Sequence, residues 1–291
     1  MSDLVILMEQ VPSFYLGFVL ILGVLIGSFL NVVIYRLPIM MQRSWAADCA
    51  DSFPDANIEV NEERFDLVLP RSRCPECKHI IGSTENIPLL SWLLQKGRCK
   101  HCGCKISARY PAIELLTGVM SLGVAYFLPF GWPILFALIF TWALICLTFI
   151  DVDTMLLPDQ ITLPLLWLGL LINISSSFSL LQDAILGAVF GYLALWSVYW
   201  LFKLVTGKEG MGYGDFKLLA ALGAWFGWQA LPLIILLSSL SGAIIGIITL
   251  LMSADKKSRP LPFGPYLAIA GWSYLVFGTE IATLYYSLIL N

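Results

Sequence analysis

Long apolar runs dominate the chain and are separated by short breaks. They fall at about 13–35, 113–130, 132–150, 160–178, 183–205, 216–228, 230–252 and 263–288. Crossing the hydrocarbon core of a bilayer takes roughly 20 mostly apolar helical residues. The pattern therefore predicts an all-α polytopic membrane protein with about eight transmembrane helices. The sixth run is short and glycine-rich, and is expected to be a partial span. One long polar interruption, 36–112, follows the first run. The expected organisation is a first transmembrane helix (1–35), a polar insertion (36–112) and a transmembrane core (113–291).

Composition agrees with that picture. Hydrophobic residues make up 58% of the 291 positions and charged residues 13%, whereas a soluble domain is typically about 25% charged. A net charge of −3 says little, but the placement of the 17 Lys and Arg residues says more. Eleven lie between Arg36 and Arg109, three are Lys203, Lys208 and Lys217, and three are Lys256, Lys257 and Arg259. All fall in or near loops on one side of an eight-span arrangement. The positive-inside rule then puts these loops in the cytoplasm and the N-terminus outside. No cleaved signal peptide is expected, because the first ten residues carry Asp3 and Glu9 and no basic residue. Cytoplasmic bases are interleaved with acids, so nucleic acid is not an expected partner.

Within the insertion, "RCPECKHI" and "GRCKHCGCKISARYP" supply Cys74-x2-Cys77 and Cys99-x2-Cys102, with 21 residues between the pairs. Two such hairpins fit a zinc-ribbon-like site in which four thiolates hold a structural Zn2+. A small polar domain gains from the metal the folding energy its core lacks. Two disulfides are the alternative, disfavoured on a reducing cytoplasmic side. Cys104 could compete as a ligand but lies outside the paired spacing. His79 and His101 are expected at the surface, and Cys49 and Cys146 as ordinary small residues. Between Asp48 and Asp66 seven acids (Asp48, Asp51, Asp55, Glu59, Glu62, Glu63, Asp66) face one base, Arg64. This stretch reads either as a solvated loop or as a patch attracting a basic peptide.

Two further segments place acids beside apolar helices on the same predicted face: "IDVDTMLLPDQIT" at 150–162 and "GMGYGDFK" at 210–217. Acids at a membrane boundary are functional candidates, because their burial is costly. Two facing Asp residues can share a proton, one activating water while the other polarises a carbonyl. That is aspartic peptide hydrolysis. Gly212 and Gly214 would let an extended substrate backbone come close to Asp215. A flexible loop with an acid starting a helix remains the plain alternative. "GAVFG" (187–191) and "GAIIG" (242–246) read as small-residue helix-packing stretches.

These residues carry a resemblance. "GYGD" at 212–215 resembles the GxGD motif of intramembrane-type aspartic proteases. With "DVDTMLLPD" (151–159), the paired CxxC hairpins, "GSFLNVVIYRLP" (27–38), "ENIPLLSWLLQKGRC" (85–99), "ISARYPAIE" (106–114) and "PFGPYLA" (262–268), the chain closely resembles the bacterial type IV prepilin peptidases. The resemblance implies a bifunctional enzyme of the inner membrane. It would cut the basic leader of type IV prepilins or type II secretion pseudopilins after a glycine on the cytoplasmic side. It would then methylate the new N-terminus with S-adenosylmethionine. Asp151 and Asp215 would be catalytic, and Cys74, Cys77, Cys99 and Cys102 the zinc ligands. Asp153 and Asp159 would be bystanders, and no residue is assigned to the methyl donor. Two alternatives stay open: a GxGD membrane peptidase without methylation, and a zinc-stabilised transporter or scaffold with acids on an ion path.

Overall fold

Apolar length sets the helices of this chain, and Asn173, Gly207 and Gly227 end three of them. The computed structural model describes residues 3–56, 58–60, 63–252 and 261–290. Glu62, Lys256, Lys257 and Arg259 lie outside the described residues. Among those residues the regular structure is helical, with two isolated bridges, Arg73–Ile80 and Arg98–Lys105, in place of a sheet. The chain divides into two compact units, 1–126 and 127–291.

The first unit holds α1 (Asp3–Gln10), α2 (Pro12–Ser52), α3 (Leu90–Leu94) and α4 (Arg109–Phe127). At 41 residues, α2 is about 60 Å long, roughly twice the thickness of a bilayer core. The first apolar run is thus the N-terminal part of a helix that continues into the polar region as far as Ser52. Beyond the apolar part, buried Arg36 donates to the carbonyls of Asp66 (2.8 Å) and Pro70, tying the 66–70 segment back onto α2. Small residues bring α2 and α4 together: a Cβ on Gly27 would lie 2.7 Å from Glu114 Cα. Glu114, buried on α4, accepts a 2.8 Å hydrogen bond from the Leu89 N–H and so anchors the start of α3.

The second unit contains α5 (Pro133–Thr154), α6 (Asp159–Ile172), α7 (Leu181–Thr206), α8 (Tyr213–Phe226), α9 (Leu231–Met252) and α10 (Gly264–Leu290). Every residue from Leu218 to Phe226 on α8 is buried. A helix apolar on all sides needs cover on all sides, and α6, α7 and α10 pack against it. On α7, Gly187 meets the Gly223 carbonyl, and a Cβ on Gly191 would lie 2.6 Å from the Leu219 carbonyl oxygen. The 187–191 stretch thus packs backbone on backbone. The second small-residue stretch sits more loosely: Gly242 faces the Tyr266 ring, and a Cβ on Gly246 would meet Leu261 at 3.5 Å.

Among the described residues, six helices are long and apolar enough to cross a membrane: α2, α4, α5, α7, α9 and α10. The chain is a multi-pass membrane protein. The runs at 160–178 and 216–228 form shorter helices, α6 and α8, of 14 residues each. That length is about 21 Å, less than the roughly 30 Å core. Asn173 closes both. Its amide Nδ2 donates to the Ala224 and Trp225 carbonyls at the end of α8 (both 2.9 Å), and its Oδ1 accepts from the Phe178 and Ser179 N–H groups (both 3.0 Å).

Candidate active site and metal centre

Asp151 lies in the last turn of α5 and Asp215 in the first turn of α8. Both are almost out of solvent, at 5% and 7% exposure. In α5 the helix stops just after Asp151, where Met155 adopts a left-handed conformation and its N–H returns to the Asp151 carbonyl (2.9 Å). The start of α8 is an N-terminal cap built around glycine. Gly212 is the cap residue, and Asp215, three residues on, stands at the acid position of a capping box, its own N–H donating to the Gly212 carbonyl (3.3 Å). The acid that starts the helix and the acid of the GYGD motif are therefore one residue.

The other acids of the region are placed differently. Asp153 and Asp159 are exposed. Asp159 holds Lys217 in a two-pronged ion pair (2.7 and 2.8 Å), so the lysine of "GYGDFK" is committed to α6. The two glycines of the motif also differ. A Cβ on Gly214 would strike Leu157 Cβ at 2.8 Å, so its small size serves the packing of the α5–α6 connection. Gly212 opens on free space, with nothing nearer to such a Cβ than 3.8 Å.

Sequence reasoning missed Gly264 and Leu157. Gly264 begins α10, and its N–H donates a 3.0 Å hydrogen bond to Asp151 Oδ2. Leu157 sits against both Gly214 and Gly264. The signal was present in "PFGP": a glycine just before a proline at the start of an apolar run marks a helix N-terminus, where free N–H groups and the helix dipole favour a carboxylate.

In the first unit, residues 73–80 and 98–105 form matching turns. The N–H of Cys74 bonds the carbonyl five residues on (His79, 2.9 Å), as the N–H of Cys99 does (Cys104, 2.8 Å). Lys78 and Gly103 take the same left-handed conformation. Backbone N–H groups point at the sulfurs: those of Cys77 and Glu76 help hold the Cys74 thiol down to about 6, and that of Cys104 lowers Cys102. Such N–H···S bonds favour the thiolate that a metal requires. Cys74, Cys99, Cys102 and Cys104 have sulfurs within 4.8 Å of one another. The Cys77 sulfur lies 4.0 Å from that of Cys99, and Cys104 lies 3.4 Å from Cys74. The donor set is soft and clustered, and it suits a metal ion. Cys104, set aside by spacing, is inside the cluster. Cys49 is exposed and Cys146 is buried in the second unit.

A multi-pass helical protein with two aspartates buried at helix ends belongs to a class equipped for acid–base chemistry at a membrane. Comparison with known proteins defines it further. The bacterial peptidase A24 N-terminal domain matches residues 21–128, and the type IV leader peptidase family matches 138–247. Over 291 residues the chain is 57% identical to a protein of Aeromonas salmonicida named prepilin leader peptidase/N-methyltransferase, covering 100% of both chains. A protein of the same name from Aeromonas hydrophila is 57% identical over 98% of both chains. One from Pseudomonas aeruginosa is 54% identical over 96% of this chain and 97% of its own. The chain belongs to the type IV leader peptidase family. No solved structure matches it.

Proposed function

We propose that this chain cleaves the leader peptide from type IV prepilins with Asp151 and Asp215, then methylates the new N-terminal amine. The observation that carries the cleavage is the burial of these two acids, drawn from separate helices, with Leu157 packed against both Gly214 beside Asp215 and Gly264 beside Asp151. Family membership and the names of its relatives support both activities.

The chemistry follows from the pair. One aspartate takes a proton from water as the water oxygen bonds to the scissile carbonyl carbon; the other, protonated, gives its proton to the carbonyl oxygen. Collapse of the tetrahedral species breaks the C–N bond and the amine leaves with a proton. The Gly264 N–H fixes one oxygen of Asp151, which sets the direction of the other. An extended substrate would lie beside Gly212, where the space is open; Gly214 keeps the adjoining wall close by admitting Leu157.

Zn2+ belongs to the insertion, held by Cys74, Cys77, Cys99 and Cys102 with Cys104 beside them, and it supplies folding energy there. S-adenosylmethionine is the methyl donor. The described residues offer no strand–glycine–helix cradle for it, so we place it at the polar insertion of the first unit. The inner membrane, with the N-terminus outside and the charged loops in the cytoplasm, is the setting that the basic residues support. Type II secretion pseudopilins, which share the prepilin chemistry, belong to the proposed substrates.

The test is to incubate the purified protein with a prepilin and S-adenosylmethionine and read the product mass, with Asp151→Asn and Asp215→Asn alongside. Leader loss plus one methyl is expected, and neither variant should cleave. Leader loss without methylation leaves a peptidase alone. A folded, zinc-loaded protein that cleaves no prepilin points to a transporter or scaffold.

A further inference from the structure

The chain contains only two histidines, and they meet. His79 belongs to the first cysteine turn and His101 to the second, yet their ring centroids lie 3.4 Å apart at a tilt of 35°. One carboxylate faces both: Glu85 Oε2 is 3.7 Å from His79 Nε2, and Oε1 is 3.9 Å from His101 Nε2. All three groups bring a ligand atom within 4.8 Å of the others. From these contacts we propose that His79, Glu85 and His101 form a second metal site, separate from the thiol cluster, for a divalent first-row ion of the Zn2+ type.

The distances favour an ion over direct pairing. A direct N–H···O hydrogen bond spans about 2.7–3.2 Å, and both contacts are longer. Ligand atoms bound to one tetrahedral ion at about 2.0–2.1 Å stand roughly 3.3 Å apart, so each histidine nitrogen has about half an ångström to close on its Glu85 oxygen, and the two stacked rings must splay apart to aim both nitrogens at one ion. Two imidazoles and a carboxylate are the borderline donors that zinc accepts, and half-exposed rings leave a fourth position to water.

The site is also braced. Glu85 ends a single 3-10 turn, Ser83–Glu85. Gln95 Nε2 donates to the Glu85 carbonyl (3.4 Å), and Ser91 Oγ donates to the Thr84 carbonyl (3.1 Å). Such partners orient a ligand before the ion arrives. Lys100 Nζ, 3.8 Å from Glu85 Oε1 and largely exposed, competes for the same carboxylate. It would have to swing away on metal binding.

The proposal is independent of the reaction the chain performs. Its test is the metal content of the full chain in detergent after Zn2+ loading, together with spectra of the Co2+-substituted protein. The wild type should hold two ions per chain, one of them released by mild chelation. His79→Ala, His101→Ala and Glu85→Gln should each hold one, with the thiolate-to-cobalt charge-transfer band intact as a check that the insertion is folded. Lys100→Met should tighten the weaker site by up to about five-fold, the worth of an exposed ion pair. A single zinc in the wild type that survives all three substitutions overturns the proposal. So does loss of the thiolate band in His79→Ala or His101→Ala, which would assign the histidines to the thiol centre.

Discussion

The backbone N–H of Gly264 donates a 3.0 Å hydrogen bond to Oδ2 of Asp151, joining the first turn of α10 to the last turn of α5. A Cβ on Gly264 would lie 2.6 Å from that oxygen and 3.0 Å from Leu157 Cδ2. Gly264→Ala must therefore displace the carboxylate. A misplacement near 1 Å costs on the order of 100-fold in rate, so kcat/KM for prepilin cleavage should fall by about that factor. Zinc content should be unchanged. Wild-type cleavage by the variant would remove Gly264 from the site.

The fourth zinc ligand is decided by paired substitutions. With Cys77 as ligand, Cys77→Ser should reduce the intensity of the thiolate-to-cobalt band and weaken binding by more than the roughly 10–100-fold that losing an outer hydrogen-bond partner costs. Cys104→Ser should leave its intensity unchanged. The reverse result would assign the centre to Cys74, Cys99, Cys102 and Cys104, the tighter cluster.

Asn173 is fully buried and uses both amide ends, closing α6 and α8 together. Asn173→Leu strands two carbonyls and two N–H groups. Each buried polar group left unpaired costs about 1–3 kcal/mol, so destabilisation of at least about 3 kcal/mol is expected. Thermal unfolding in detergent measures it, and a shift within error would show that the network is replaceable.

Asp66, outside the membrane helices, is held down to about 2 by hydrogen bonds from the Leu69 N–H, the Arg64 side chain and the Val68 N–H. Its folded value lies below the unfolded value of about 3.9. The contribution to the 66–70 turn is thus complete above that value and lost as pH falls through about 2. The Asp66 carboxyl 13C shift, followed with pH, should titrate near 2. Asp66→Asn should loosen the turn at neutral pH, seen as faster hydrogen exchange at Val68 and Leu69.

Much of this protein was legible in one dimension because its signals are local. Apolar run length predicts helices, and every predicted run has one. Paired cysteines at fixed spacing announce a thiol cluster, and an acid among glycines before an apolar run announces a helix start. The length of α2 was misjudged at Arg36, where charge suggested an exit from the helix. The helix runs on because Arg36 buries its head against the 66–70 carbonyls. The shortness of α6 also escaped, since nothing near Asn173 in sequence shows the α8 carbonyls that claim it.

The sequence by itself determined the membrane class, the helical segments and the candidate acids and thiols, because these follow from composition and from spacing within a few turns. Only the tertiary structure decided which groups meet. Gly264 finds Asp151, Leu157 fills the space beside Gly214, Cys104 joins the thiols, and the two histidines share Glu85. Each of these pairings depends on where distant helices and turns are packed, and packing is set by complementary surfaces that no linear pattern records.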